Sequence, residues 1–101
     1  MANDRNRESI KKAVINNLKE ALDPDKTYEL TESTSFSSLE DPLLPDINFS
    51  QTSWHKSPVC KNFYEMTAES TGYLVLEKDR KKVKTIGQAV DAFMAAKPMD
   101  A

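Results

Sequence analysis

Ile10, Val14, Leu18 and Leu22 recur every four residues, with Ala13 and Ala21 beside them and Lys11, Lys12, Asn16, Lys19 and Glu20 filling the other side. That spacing lays one apolar stripe along a helix and leaves the rest of its surface to water. Asp23-Pro24 closes the pattern, because proline disfavours a helical residue before it and has no N–H to donate. A helix over 7–22 with one apolar face has to bury that face against something. The chain is therefore committed to helix packing by its first element.

The other end of the chain makes the same demand. Thr85 followed three residues later by Gln88 is a capping-box signature, and Ile86, Ala89, Val90, Phe93 and Met94 then form an apolar stripe that ends before Pro98. This predicts a helix over 85–96. Between the two, Ser57-Pro58 reads as a helix start, with serine as cap and proline at the first helical position. Val59, Phe63 and Met66 follow at helical spacing, with Cys60 and Tyr64 alongside, and Gly72 ends the segment. A rival reading makes strands of Val59 to Thr67 and Tyr73 to Lys78, since Val, Tyr and Phe favour sheets. In that reading Tyr73–Leu76 and Val83–Ile86 form a hairpin across Asp79–Lys82.

The stretch from Asp25 to about Ser57 carries no clear period. Thr31 to Ser38 is rich in serine and threonine around Phe36, Pro42 and Pro45 bracket Leu43 and Leu44, and Asn48 to Ser53 is polar again. So long an irregular connection inside a compact domain is more often functional or mobile than neutral. Whether 41–56 is ordered stays open at this point. With 101 residues the chain fits one domain, with 1–6 and 97–101 as mobile ends. The expected fold is all-α: a short up-and-down bundle of helices near 7–22, 58–70 and 85–96 with a long irregular first connection. The alternative is α+β, with a hairpin near 73–86. In the bundle Ile10, Val14, Leu18 and Leu22 pack against Ile86, Val90 and Phe93, with Phe36 and Leu39 closing the side.

A net charge of −2 argues against nucleic acid as the main partner, since phosphate binding needs concentrated positive surface. No apolar run approaches the roughly 20 residues of a membrane span, and Met1 to Lys12 is too polar for a secretory signal. A lone Cys60 cannot form an internal disulfide, so the cytoplasm is the expected compartment and a monomer the expected state. His55 and Cys60 are too few for a zinc site, which wants four ligands. As a Cys–His pair they have no third orienting group, so a buried thiol and a surface imidazole are the plainer reading. Glu40 and Asp41 sit beside a proline, with no sign of the burial that turns a carboxyl into a general acid. Trp54, Phe49, Leu43 and Leu44 read either as a docking patch or as a cap on the core. Lys78-Asp-Arg-Lys-Lys82 reads as an anion site or, more simply, a solvated turn. Two glycines, Gly72 and Gly87, cannot make a phosphate-binding glycine loop. No catalytic equipment is expected, and no metal.

The segment Val83-Lys-Thr-Ile86-Gly-Gln-Ala-Val90-Asp-Ala-Phe93 resembles the last helix of the acyl carrier proteins, where a short apolar-x-Thr-apolar run enters an amphipathic helix. Leu30-Thr31-Glu-Ser-Thr-Ser35-Phe36-Ser-Ser-Leu39 is similar to that family's first loop, where a Thr-rich turn leads to a Phe and then a Leu. Together with the opening helix these cover about half the chain, in the family's order. The resemblance implies a small acyl-carrier-like helical bundle that carries an acyl or related group as a thioester on a 4'-phosphopantetheine arm. It also implies a phosphopantetheinyl transferase and acyl-handling enzymes as partners. Counting back from the last helix, the attachment position falls on Ser57, in Trp54-His-Lys-Ser57-Pro58, with Ser50 and Ser53 as weaker candidates. The plainer reading of the same serine is a helix cap, the commonest job of a serine before proline, and a non-carrier interaction module with a degenerate carrier-like or α+β fold is the alternative function.

Overall fold

The computed structural model describes residues 6–42 and 47–99. Helix α1, Arg7–Leu22, starts on Asn6, whose side chain accepts from the N–H groups of Glu8 at 2.8 Å and Ser9 at 3.4 Å. It buries Ile10, Val14, Leu18 and Leu22, the four residues of the sequence stripe. Helix α3, Pro58–Thr71, is capped by Ser57 and ended by Gly72 in the left-handed conformation (φ 81°), which glycine adopts without a Cβ penalty. Its buried residues come in pairs four apart: Val59 and Cys60, Phe63 and Tyr64, Thr67 and Ala68. That is helical spacing, and it excludes the strand reading of 59–67. Helix α5, Ile86–Ala95, carries the expected capping box, with Gln88 N–H donating to Thr85 Oγ1 and Thr85 N–H to Gln88 Oε1, each at 3.2 Å.

Helix α1 packs on both α3 and α5, and Tyr64 of α3 meets Phe93 of α5 with ring centroids 5.8 Å apart. Polar groups register α1 on α3: Asn17 donates to Thr67 Oγ1 at 3.2 Å and Ser70 Oγ at 2.8 Å. The described part of the chain is mostly helical. No helix in it is long and apolar enough to cross a membrane.

The hairpin near 73–86, the alternative to the bundle, does not form. Glu77–Arg80 is instead a single helical turn, α4, with Asp79 N–H and Arg80 N–H both donating to Leu76 O. Glu77, Lys78 and Arg80 have good helix propensity, and the four-residue connection carries no Gly to favour a tight turn. The strand at Tyr73–Leu74, β1, pairs antiparallel with β2, Lys97–Pro98, and Met99 N–H donates to Gly72 O at 2.9 Å. Part of the stretch expected as a mobile end is thus paired to the end of α3.

The long first connection has a job in the core. Phe36, 1% exposed, stacks flat on Trp54, 4% exposed, with centroids 4.6 Å apart and planes 2° from parallel. Phe49 meets Trp54 edge-on at 4.9 Å, and Phe63 of α3 touches Phe36 and Trp54 at 5.8 and 6.1 Å. Trp54 and Phe49 are therefore core residues and form no exposed patch; Leu43 and Leu44 lie outside the described residues. The Thr-rich turn is sewn to α5: Ile86 N–H donates to Thr34 O and Gly87 N–H to Glu32 O, while Phe36 N–H donates to Lys84 O. The first amide groups of a helix have no partner within it, and here the loop supplies carbonyls. Arg7 adds ion pairs to Glu32 and Asp91, exposed and so of small energy.

Two substitutions test this packing. Phe36→Ala should lower unfolding free energy by about 3–5 kcal/mol, and urea titration followed by the emission of Trp54, the one tryptophan, reads it directly. At Gly87 a Cβ would stand 3.0 Å from Glu32 O, an atom already fixed by the Gly87 N–H bond. Gly87→Val should therefore cost about 1–3 kcal/mol, with urea midpoints showing the loss.

Candidate functional site

The residues singled out in sequence converge on the N-terminus of α3. Ser53, at φ 73°, is the one described non-glycine residue with positive φ, and it turns the chain between α2 (Phe49–Thr52) and the helical turn Trp54–Lys56. The turn sends Trp54 under Phe36, leaves His55 and Lys56 exposed, and delivers Ser57 to the start of α3. Strain of this kind costs about 1–3 kcal/mol and persists where surrounding contacts fix it; the aromatic stack does so here.

Ser57 is 8% exposed, and its Oγ accepts from Val59 N–H at 3.1 Å. It lies on the wall of a cleft of about 1020 Å³ that also takes in Ser53, His55 and Cys60. Lys56 and Lys61 flank the serine along the chain, and α4 with the residue after it brings Arg80 and Lys81 across the cleft, together with Glu77. Arg80 is held in place: its Nε donates to Val75 O at 3.0 Å, and its guanidinium lies 4.8 Å from the Tyr64 ring centroid. The lining thus has four cations against one carboxylate.

Cys60 reaches the same cleft but is 3% exposed, and burial pushes its thiol up to about 12, with Arg80 opposing only in part. A thiol held neutral is a poor nucleophile. Burial likewise raises the Tyr64 hydroxyl, reinforced by Cys60. Among the described residues no group of three or more His, Cys, Asp or Glu is placed to hold a metal ion.

The other candidates lie apart. Ser50 lines a neighbouring groove beside Phe36, Phe49 and Trp54, which shares Ser53, His55 and Lys56 with the cleft. Glu40 is exposed and pairs with Lys26 at 3.3 Å. Asp41 departs from expectation: it is 4% exposed, where its N–H donates to Ile47 O and Phe49 N–H donates to Leu39 O. A third groove, of about 490 Å³ and more apolar, runs along α5 between Leu74, Leu76, Ala92 and Ala95.

Sequence reasoning found Ser57 and the Lys78–Lys82 run separately and missed that Arg80 and Lys81 face the serine. The only signal was the charge run itself. No protein-family model, curated protein or solved structure matches this chain.

Replacing the cap tests the local role of the serine. Ser57→Ala should cost about 1 kcal/mol of unfolding free energy and Ser57→Gly only a few tenths, measured by urea titration. The thiol gives a second check. A folded-state value above the ordinary 9.0 keeps its stabilisation intact below that pH and loses it as pH climbs toward about 12. Thermal midpoints should therefore fall on alkaline titration above pH 9, and less steeply in Cys60→Ala. In the native chain at neutral pH, alkylation of Cys60 should be slow, becoming fast in denaturant.

Proposed function

We propose that this chain is a carrier protein that holds an acyl or related group, through a 4'-phosphopantetheine arm on Ser57, for separate enzymes to act on. The observation that carries the reading is Ser57 at the N-cap of α3, on the wall of a cleft lined by Lys56, Lys61, Arg80 and Lys81. A phosphodiester on that oxygen lies among four cations and next to the positive end of a helix dipole, so the residues fit the group. Further support comes from the order of parts: an opening amphipathic helix, a Thr-rich turn leading to buried Phe36 and half-buried Leu39, a helix after Ser57, and a last helix entered through Thr85. That order suits the small all-α acyl-carrier-like bundle, with the β1–β2 pair as a minor addition.

Loading requires a phosphopantetheinyl transferase and coenzyme A. The Ser57 oxygen forms a bond to the β-phosphorus of coenzyme A, and the pyrophosphate P–O bond breaks. Adenosine 3',5'-bisphosphate leaves with the electron pair, and the serine proton passes to a base of the transferase. The arm supplies a terminal thiol to which the cargo is joined as a thioester. The chain itself contributes the oxygen, the cations that balance the phosphodiester and, along α5, an apolar groove for an acyl chain. Catalysis belongs to the partners, and a monomer in the cytoplasm is the state in which such a carrier meets them.

A second reading rests on the same serine. At 8% exposure, with its oxygen already accepting from Val59 N–H, Ser57 is an effective helix cap, which is what a non-carrier interaction module would keep it for. Intact mass after incubation with coenzyme A and a broad-specificity phosphopantetheinyl transferase separates the two. The carrier reading expects a gain of one arm that disappears in Ser57→Ala. A gain surviving that substitution moves the site to Ser50 or Ser53, and no gain with any transferase tried leaves the interaction module as the account.

A further inference from the structure

The cations around Ser57 ask for an explanation whether or not the serine is modified. Lys56 and Lys61 come from either side of the start of α3, and Arg80 and Lys81 from α4 and the residue after it. None of the four is in an ion pair among the described residues, although Glu77 lies on the same wall. Like charges gathered on one cleft repel, and a small fold gains no stability from collecting them. The fold nevertheless fixes one of them, Arg80, through Val75 O and the face of Tyr64. A preorganised guanidinium beside exposed ammonium groups suits phosphate oxygens, which take charge-assisted hydrogen bonds from both.

Charge and size narrow the ligand. The four cations less Glu77 leave +3 on the cleft, so the rest of the chain carries −5 to reach the overall −2. A long polyanion such as RNA would need positive charge well beyond the cleft, and a chain of net −2 has no excess of it. A compact anion would not. The cleft, at about 1020 Å³, is as large as pockets that enclose drug-sized molecules, and a single inorganic phosphate would leave most of it unfilled.

We propose that this cleft is a non-covalent binding site for a small molecule bearing a diphosphate, gripped by Lys56, Lys61, Arg80 and Lys81. The assignment goes beyond the carrier reading and does not depend on it. Ser57→Ala abolishes loading with an arm yet leaves the four cations in place, so the two ideas fail separately.

The test is a titration of the 15N-labelled full chain with inorganic pyrophosphate and, separately, with adenosine diphosphate, followed by amide chemical shifts at low salt. Saturable shifts at Lys56, Ser57, Lys61, Arg80 and Lys81, fitting one Kd, are expected with both probes. The double variant Lys61→Gln/Lys81→Gln, at two exposed positions, should keep the native spectrum and weaken binding about tenfold or more. Ser57→Ala should still bind. The proposal is overturned by absence of saturation, by citrate binding as tightly as pyrophosphate, or by an unchanged Kd in the double variant. It is equally overturned if a single-stranded oligonucleotide or an acidic peptide occupies the same amides more tightly than pyrophosphate does.

Discussion

The flat stack of Phe36 on Trp54 joins the two parts of the molecule that have least in common. Phe36 belongs to a polar, serine-rich turn and Trp54 to a short helical turn eighteen positions further along, yet the two rings bury one another at 4.6 Å and share Phe63 of α3 as a neighbour. Aromatic side chains bury about 150–250 Å² each, so in a chain of 101 residues this cluster is a large part of the apolar surface removed from water. Remove it and the connection between α1 and α3 keeps its backbone bonds to α5 but loses its aromatic hold on the core. The backbone strain at Ser53 and the placement of His55, Lys56 and Ser57 follow from where Trp54 has to go.

A second constraint acts from the other side. The Thr-rich turn gives its carbonyls to the first amides of α5, so an element without regular structure completes one that has it. The bundle is therefore not three helices with an appended loop. Its first connection is one of the walls, fastened at Phe36 to the core and at Glu32 and Thr34 to the last helix.

The three long helices were legible because each is specified locally: a stripe, a cap and a stop, at Ile10–Leu22, Ser57–Gly72 and Thr85–Ala95. The middle was not, since a lone Phe36 or Trp54 among polar residues has no period and its burial is decided by a partner far away in sequence. The alternative hairpin does not form: its Tyr and Val flanks favour sheets, but the chain between them takes a helical turn at Glu77–Arg80. Tyr73 and Leu74 then found Pro98 and Lys97 instead. Ser57 was visible as a helix cap, whereas the cations facing it were not, because which side of a four-residue helix meets the cleft is a tertiary fact. Asp41 shows the same limit in reverse. Nothing local marks it for burial, yet it is buried where its N–H meets Ile47 O.

The short pairing of Tyr73–Leu74 with Lys97–Pro98, together with Met99 on Gly72, returns the end of the last helix to the end of α3. Helix α5 is thereby moored at both ends, by loop carbonyls at its start and by the strand pair at its finish. The segment between β1 and α5 is anchored through buried Val75 and Val83 and carries exposed Glu77, Lys78 and Lys81. The two far-wall cations, Arg80 and Lys81, ride on that segment, so the width of the cleft is set by how α4 rests on α5 and by the grip of Val75 and the Tyr64 ring on Arg80.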